Sequence, residues 1–332
     1  MLYRFLLLLF VVLPSVALGQ RVNKQGLKEY FLLDKGDTVR FYIYNPGRTH
    51  TDKIFLYLQG SGARPLISRT DSVECCFNNY PKKEMQYLAK QYAVLYIHKI
   101  GVPYYANTDH YTPSAAFDRR NDVLERAEVA NKVLNYVTRY VYKKPRVVAV
   151  LGHSEGSDVA ARLAVLNKKV THLCFAAGNG TPQVFNDILF TRRNMHAGKI
   201  TPQQANKQIN KLLVGLDSVY KNNKATDRKF NGDTYKWHYA INKPAVDNLL
   251  QLRIPIYLTI GSNDTSVPVE ASDYIAAEFV RARKTNLVYK VYENCTHSYV
   301  EQKPDGTEVS RWLDLFQDFS SFIDKDLAAK RE

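Results

Sequence analysis

Apolar and polar positions alternate along the chain in two periods. Six short runs, Lys53 to Gln59, Ala93 to His98, Arg146 to Leu151, His172 to Ala177, Pro255 to Ile260 and Leu287 to Tyr292, are rich in Val, Ile, Leu and Tyr. Several are nearly continuously apolar, which is how strands covered on both faces read. Helix-period stretches separate them: Lys82 to Gln91, Asp118 to Val141, Ser157 to Leu166, Glu270 to Arg283 and Glu308 to Leu327. The longest carries an apolar stripe of Val123, Ala127, Ala130, Val133, Leu134 and Val137. Residues 28–34 and 38–44 read as a hairpin around the turn Asp34-Lys35-Gly36-Asp37. Strands alternating with helices predict an α/β fold, with a mostly parallel central sheet covered by helices on both faces.

The alternation stops between about Pro182 and Asn248. That stretch is polar, with a helical period through Ile209, Leu212, Leu213, Leu216, Val219 and Tyr220. It reads as an insertion, residues 182–248, between two halves of a core formed by 20–181 and 249–332. The first 19 residues have the order of an export signal: Arg4, an apolar run from Phe5 to Leu13, and small residues at Ala17-Leu18-Gly19 before Gln20. The run falls short of the ~20 residues that span a bilayer. The expectation is therefore cleavage near Gly19-Gln20, a secreted or periplasmic protein, and no stable membrane insertion.

Charge and cysteine content narrow the classes further. The formal net charge is +14 over 332 residues, but the basic residues are scattered among acids and form no arm or motif for nucleic acid. Solubility, or attraction to an anionic surface or substrate, is the simpler reading. The insertion concentrates this charge, with 11 Lys and Arg against 5 Asp between 183 and 250. Four cysteines are few for an exported chain of this size. Cys174 reads as a buried apolar residue, whereas Cys75 or Cys76 could bridge to Cys295. No spacing of Cys and His resembles a zinc site, so neither metal nor cofactor is expected. A monomer or weak homo-oligomer is expected.

The chemistry concentrates in Gly152-His153-Ser154-Glu155-Gly156, which lies between an expected strand and an expected helix. A G-x-S-x-G turn there lifts the serine hydroxyl above the sheet edge, and the turn is so tight that only small residues fit two positions on either side. Acyl transfer by Ser154 needs a base, a group to orient the base and donors for the oxyanion. Asp264, in the Gly261 to Pro268 loop after a strand, is the candidate acid. His297, the only histidine after it, is the candidate base. One oxyanion donor is the Glu155 N–H. The other comes from Gln59-Gly60-Ser61-Gly62, with the Ser61 N–H favoured and the Gly60 N–H a competitor. His153 is expected to pack under the turn.

These elements together resemble an α/β-hydrolase of the bacterial serine esterase and related peptidase type. Gly152 to Gly156 resembles the family's elbow, Gly261 to Pro268 its acid loop and Asn294 to Ser298 its histidine loop, and the likeness covers about residues 38–325. The resemblance implies an α/β-hydrolase fold with a helical cap at 182–248. It also implies a Ser154–His297–Asp264 triad that cleaves a small ester through an acyl-enzyme. A peptidase of the aminopeptidase kind is the alternative, with Glu155 or an acid of the insertion taking the amine of a peptide-like substrate. A non-catalytic binding protein on the same fold is the third. Gln59 departs from the family, many members of which carry histidine there. Tyr104, Tyr105, Tyr111 and Trp237, with Tyr235 and Tyr239, are the aromatic candidates for the substrate site.

Overall fold

The computed structural model describes residues 26–45, 51–78 and 80–331. The expected export signal lies outside them. The chain opens with the antiparallel hairpin β1 (Leu27–Asp34) and β2 (Asp37–Tyr44), then enters the core at β3 (Lys53–Leu58). Two short strands follow, β4 (Ile67–Thr70) and β5 (Val73–Asn78), then α1 (Lys82–Leu88), β6 (Ala93–Ile97) and β7 (Tyr105–Asn107). Next come α2 (Ala115–Arg120), α3 (Val123–Tyr136), β8 (Val147–His153), α4 (Glu155–Leu166) and β9 (His172–Ala176). The insertion holds α5 (Gln183–His196), α6 (Pro202–Lys221), the ribbon β10 (Lys229–Phe230) and β11 (Asp233–Thr234), α7 (Tyr235–Ile241) and α8 (Ala245–Leu249). The chain ends with β12 (Ile256–Gly261), α9 (Val269–Arg281), β13 (Leu287–Tyr292), β14 (Val300–Gln302), β15 (Glu308–Ser310) and α10 (Trp312–Ala329).

Eight strands form the central sheet in the order β1-β2-β6-β3-β8-β9-β12-β13. The six from β6 to β13 run parallel, and the hairpin adds an antiparallel edge. Side chains alternate between two cores, as the two-residue period of a strand requires. Ile54, Leu56 and Leu58 of β3 pack with α3, α4 and α8, while Phe55 and Tyr57 pack on the other face with α1 and α10. Both faces are thus buried, which explains the continuous apolar runs.

Three local expectations are corrected. The long helix from Asp118 is broken: Asn121 leaves the helical region (φ −100°, ψ 84°) and Asp122 starts α3 anew. The Asp122 carboxylate accepts from the Leu124 and Glu125 N–H groups at 2.8 and 3.0 Å. Asp is a preferred N-cap, so Asp122→Ala is expected to cost about 1 kcal/mol in a urea unfolding curve. The final helix begins only at Trp312, because Glu308–Ser310 pair with Val300–Gln302. Cys295 is buried with a free thiol, which removes it from the expected bridge; the side chains of Cys75 and Cys76 lie outside the description. Among the described residues no helix is long and apolar enough to cross a membrane.

Candidate active site

Ser154 sits where β8 turns into α4, with φ 57° and ψ −132°. That backbone region is costly for any residue with a Cβ, by roughly 1–3 kcal/mol. The turn is held by its neighbours. The Ser154 N–H donates to Ala176 O at 2.9 Å. Ser157 Oγ shares its hydrogen between Gly152 O (2.7 Å) and Ala176 O (2.8 Å) and accepts from the Ala176 N–H at 3.1 Å. A Cβ on Gly152 would lie 2.1 Å from Gly156 O, and one on Gly156 would lie 2.1 Å from Leu58 O. These contacts are the physical reason for glycine at both ends of the pentapeptide: the first turn of α4 passes against the end of β3.

The acid and the histidine come from loops after β12 and β13. Asp264 is buried. Its Oδ1 accepts from the Ser266 and Val267 N–H groups, both at 2.8 Å, and its Oδ2 lies 2.7 Å from His297 Nδ1. A carboxylate only accepts, so the Nδ1 hydrogen points at Asp264 and Nε2 is left to take a proton. The two loops are tied together by Asn263 N–H to Cys295 O (2.9 Å) and Asn294 N–H to Ser262 Oγ (2.8 Å). His153 donates from Nε2 to His297 O at 2.9 Å, and its ring lies 4.9 Å from that of His297. Burial and the adjacent His297 lower its pKa to about 4, so it is neutral at physiological pH and packs beside the histidine loop.

A cavity of about 400 Å³ brings these loops together. Gly60, Ser61, Ser154, Glu155 and His297 line it, with Arg64, Asn179 and Ser266 around them. From the insertion come Gln183, Trp237 and Ile241. The site of a Cβ on Gly60 lies 3.0 Å from Ser154 Cβ and 3.4 Å from Ser154 Oγ, so the glycine loop stands directly against the serine. Of the aromatic candidates, Trp237 alone reaches this cavity. Tyr105 belongs to β7, which pairs with β4 in a separate three-stranded sheet. The Tyr104 ring packs 5.3 Å from that of Tyr42, and Tyr111 lies in the loop beyond β7. Within the insertion, Tyr239 packs against Tyr220 instead (ring centroids 5.3 Å), and Tyr235 is absent from the lining.

A buried charge cluster behind the glycine loop escaped the sequence reading. Arg126 on α3 donates to Glu155 Oε1 and to Gln59 O, each at 2.5 Å. Trp237 Nε1–H donates to Glu155 Oε2 at 2.8 Å. Lys99, just past β6, donates to Gly60 O at 2.6 Å and Gly62 O at 2.8 Å. Burial alone would raise the Glu155 pKa, but Arg126, Lys99 and the Trp237 N–H together hold it below the ordinary carboxyl value. Burial, reinforced by Arg126, pulls Lys99 down to about 7 against the opposing pull of Glu155 and Asp233. A lysine directly after an apolar strand and an arginine within α3 were visible signals. Nothing in the sequence spacing joined them to residues 59–62 and 155.

The fold defined by this sheet and elbow is that of the α/β-hydrolases. Residues 223–327, which carry Asp264 and His297 but not Ser154, match the model of the dienelactone hydrolase family. No curated protein sequence matches the chain. Among solved structures it is similar to Est1E from Butyrivibrio proteoclasticus, with 12% identity, a TM-score of 0.55, and 90% of this chain and 99% of that one covered. It is also similar to the Pyrococcus furiosus esterase Pf2001 (15% identity, TM-score 0.50, 91% and 92% covered). The acylaminoacyl peptidase of Pyrococcus horikoshii aligns over 90% of this chain (10% identity, TM-score 0.56), and this chain spans 40% of its length.

Proposed function

We propose that the protein is a serine hydrolase that cleaves carboxylic esters through an acyl-enzyme on Ser154. His297 takes the Ser154 hydroxyl proton as the oxygen attacks the acyl carbon, then delivers it to the departing alcohol. Water repeats the sequence in reverse to release the acid. Asp264 holds the imidazole with Nε2 free and stabilises the imidazolium. The Glu155 N–H, at the start of α4, and an N–H of the Gly60-Ser61 loop receive the oxyanion, with the positive end of the helix dipole beneath them. The observation that carries this reading is the juxtaposition of a strained Ser154 with a carboxylate-bound His297 in one cavity.

Esters are favoured over substrates with a free amino terminus because, among the described residues, no acid lining the cavity is free to bind an ammonium group. Glu155 is the acid in the lining, and Arg126 and Trp237 occupy its two oxygens. A panel of p-nitrophenyl esters and of aminoacyl and prolyl p-nitroanilides tests this. Ester turnover is expected to exceed anilide turnover in kcat/KM by at least ~10²-fold, since an unpaired ammonium is strongly rejected. The reverse ranking would establish the peptidase reading. Export through residues 1–19 is proposed as well. A mature protein whose mass begins at Gln20 would support it, and retention of Met1 in the exported fraction would contradict it.

A further inference from the structure

We propose that Lys99 and Arg126 are positioning residues that aim the N–H groups of the glycine loop at the oxyanion. The argument starts from the peptide unit. In a trans peptide the carbonyl oxygen and the amide hydrogen of one planar unit point in opposite directions. Arg126 grips Gln59 O, whose unit carries the Gly60 N–H. Lys99 grips Gly60 O, whose unit carries the Ser61 N–H. Two consecutive carbonyls are thus held by the buried Lys99 and Arg126 side chains, so both N–H groups turn away from them. Ser154 stands against this loop, its Cβ 3.0 Å from the site of a Cβ on Gly60, and the inference is that the N–H groups turn toward it. The second Lys99 bond, to Gly62 O, fixes the far end of the loop.

The same cluster ties the second half of the hole to the first. Arg126 bonds the Glu155 carboxylate as well as Gln59 O, so one guanidinium links the residue after the serine to the glycine loop. Both side chains are deeply buried: Lys99 is 6% exposed and the Arg126 side chain 10%. The Arg126 guanidinium at Gln59 O also polarises that peptide unit and strengthens the Gly60 N–H as a donor, because hydrogen bonds in a chain reinforce one another in a low dielectric. Gln59 contributes its backbone carbonyl to this arrangement. The loop is therefore braced from behind by Lys99 and Arg126.

This inference rests on the reading of Ser154 as nucleophile, and its test separates the two. Purified wild type, Lys99→Met, Lys99→Arg and Arg126→Gln are assayed for kcat and KM on a p-nitrophenyl ester, and for inhibition by an arylboronic acid, whose tetrahedral adduct places an oxygen in the hole. Loss of aim in one donor pair is expected to lower kcat by about 10–100-fold, below the ~10²–10³ of losing a donor outright. KM should stay within about twofold, because the hole acts on the transition state. Boronate affinity should fall in parallel with kcat, and Lys99→Arg should recover part of both. A wild type with no ester turnover and no fluorophosphonate labelling overturns the reading of Ser154. A labelled, active wild type overturns this inference alone if Lys99→Met keeps kcat and boronate affinity unchanged, or if its loss lies wholly in KM. If circular dichroism shows Lys99→Met unfolded, Lys99→Gln takes its place in the same measurement.

Discussion

Ser154→Ala is expected to lower kcat/KM on a p-nitrophenyl ester by about 10⁴–10⁶-fold while the fold survives. The effect is large because the proposed nucleophile, base and acid act as a unit. His297→Ala should cost a similar amount, and the double variant should be no worse than either single one, since removing one member of such a unit already disables it. Steady-state kinetics on the four proteins checks this. An additive loss in the double variant would mean that His297 works on something other than Ser154. Stability reports on the same residue independently. The backbone of Ser154 lies at φ 57° and ψ −132°, a conformation that glycine adopts readily and alanine does not. Ser154→Gly should therefore be more stable than Ser154→Ala by about 1 kcal/mol or more in urea unfolding. Equal stabilities would argue that the elbow is unstrained.

Gly156→Ala is expected to show the second large effect, on activity and stability together. The added methyl would stand 2.1 Å from Leu58 O and 2.8 Å from Gln59 O. Both are backbone atoms at the end of β3, so no side chain can rotate away to relieve the clash. Either α4 or the Gln59-Gly60-Ser61-Gly62 loop must shift. Overpacking of this kind typically costs about 1–3 kcal/mol. A shift of the loop also moves an oxyanion donor, so kcat should fall by about 10²-fold. Thermal unfolding and kinetics on the purified variant check both. Full activity together with reduced stability would mean that the helix, not the loop, absorbs the displacement.

Much of this arrangement was legible in the sequence, for physical reasons that can be named residue by residue. Apolar runs such as Val147 to Leu151 declared themselves as strands because both faces of the sheet are covered, leaving no polar alternation to confuse the period. The elbow was legible because its turn tolerates only glycine at positions 152 and 156. Asp264 and His297 followed from their places after consecutive strands, β12 and β13, which lie side by side in the sheet. Neighbouring parallel strands put their following loops next to each other, and here that places the histidine on the acid.

What stayed hidden depends on contacts between residues far apart in the chain. Lys99, Arg126 and Trp237 meet residues 59–62 and 155 only once β6, α3 and the insertion have packed. No local pattern marks such a meeting. Tyr104, Tyr105 and Tyr111 looked like a substrate lining because they follow a core strand. Instead, Tyr105–Asn107 pair with Ile67–Arg69 in a sheet of their own. The break between α2 and α3 is a different case. Asp122 and Glu125 carry the spacing of a helix start, but the apolar stripe beginning at Val123 concealed it.

The most direct test of the central claim is the site of covalent attachment. The purified protein is treated with a fluorophosphonate, digested and mapped by tandem mass spectrometry. The account predicts a single adduct on Ser154, abolished in Ser154→Ala and strongly slowed in His297→Ala. An intact wild type that takes up no label, or takes it up on another residue, would contradict it.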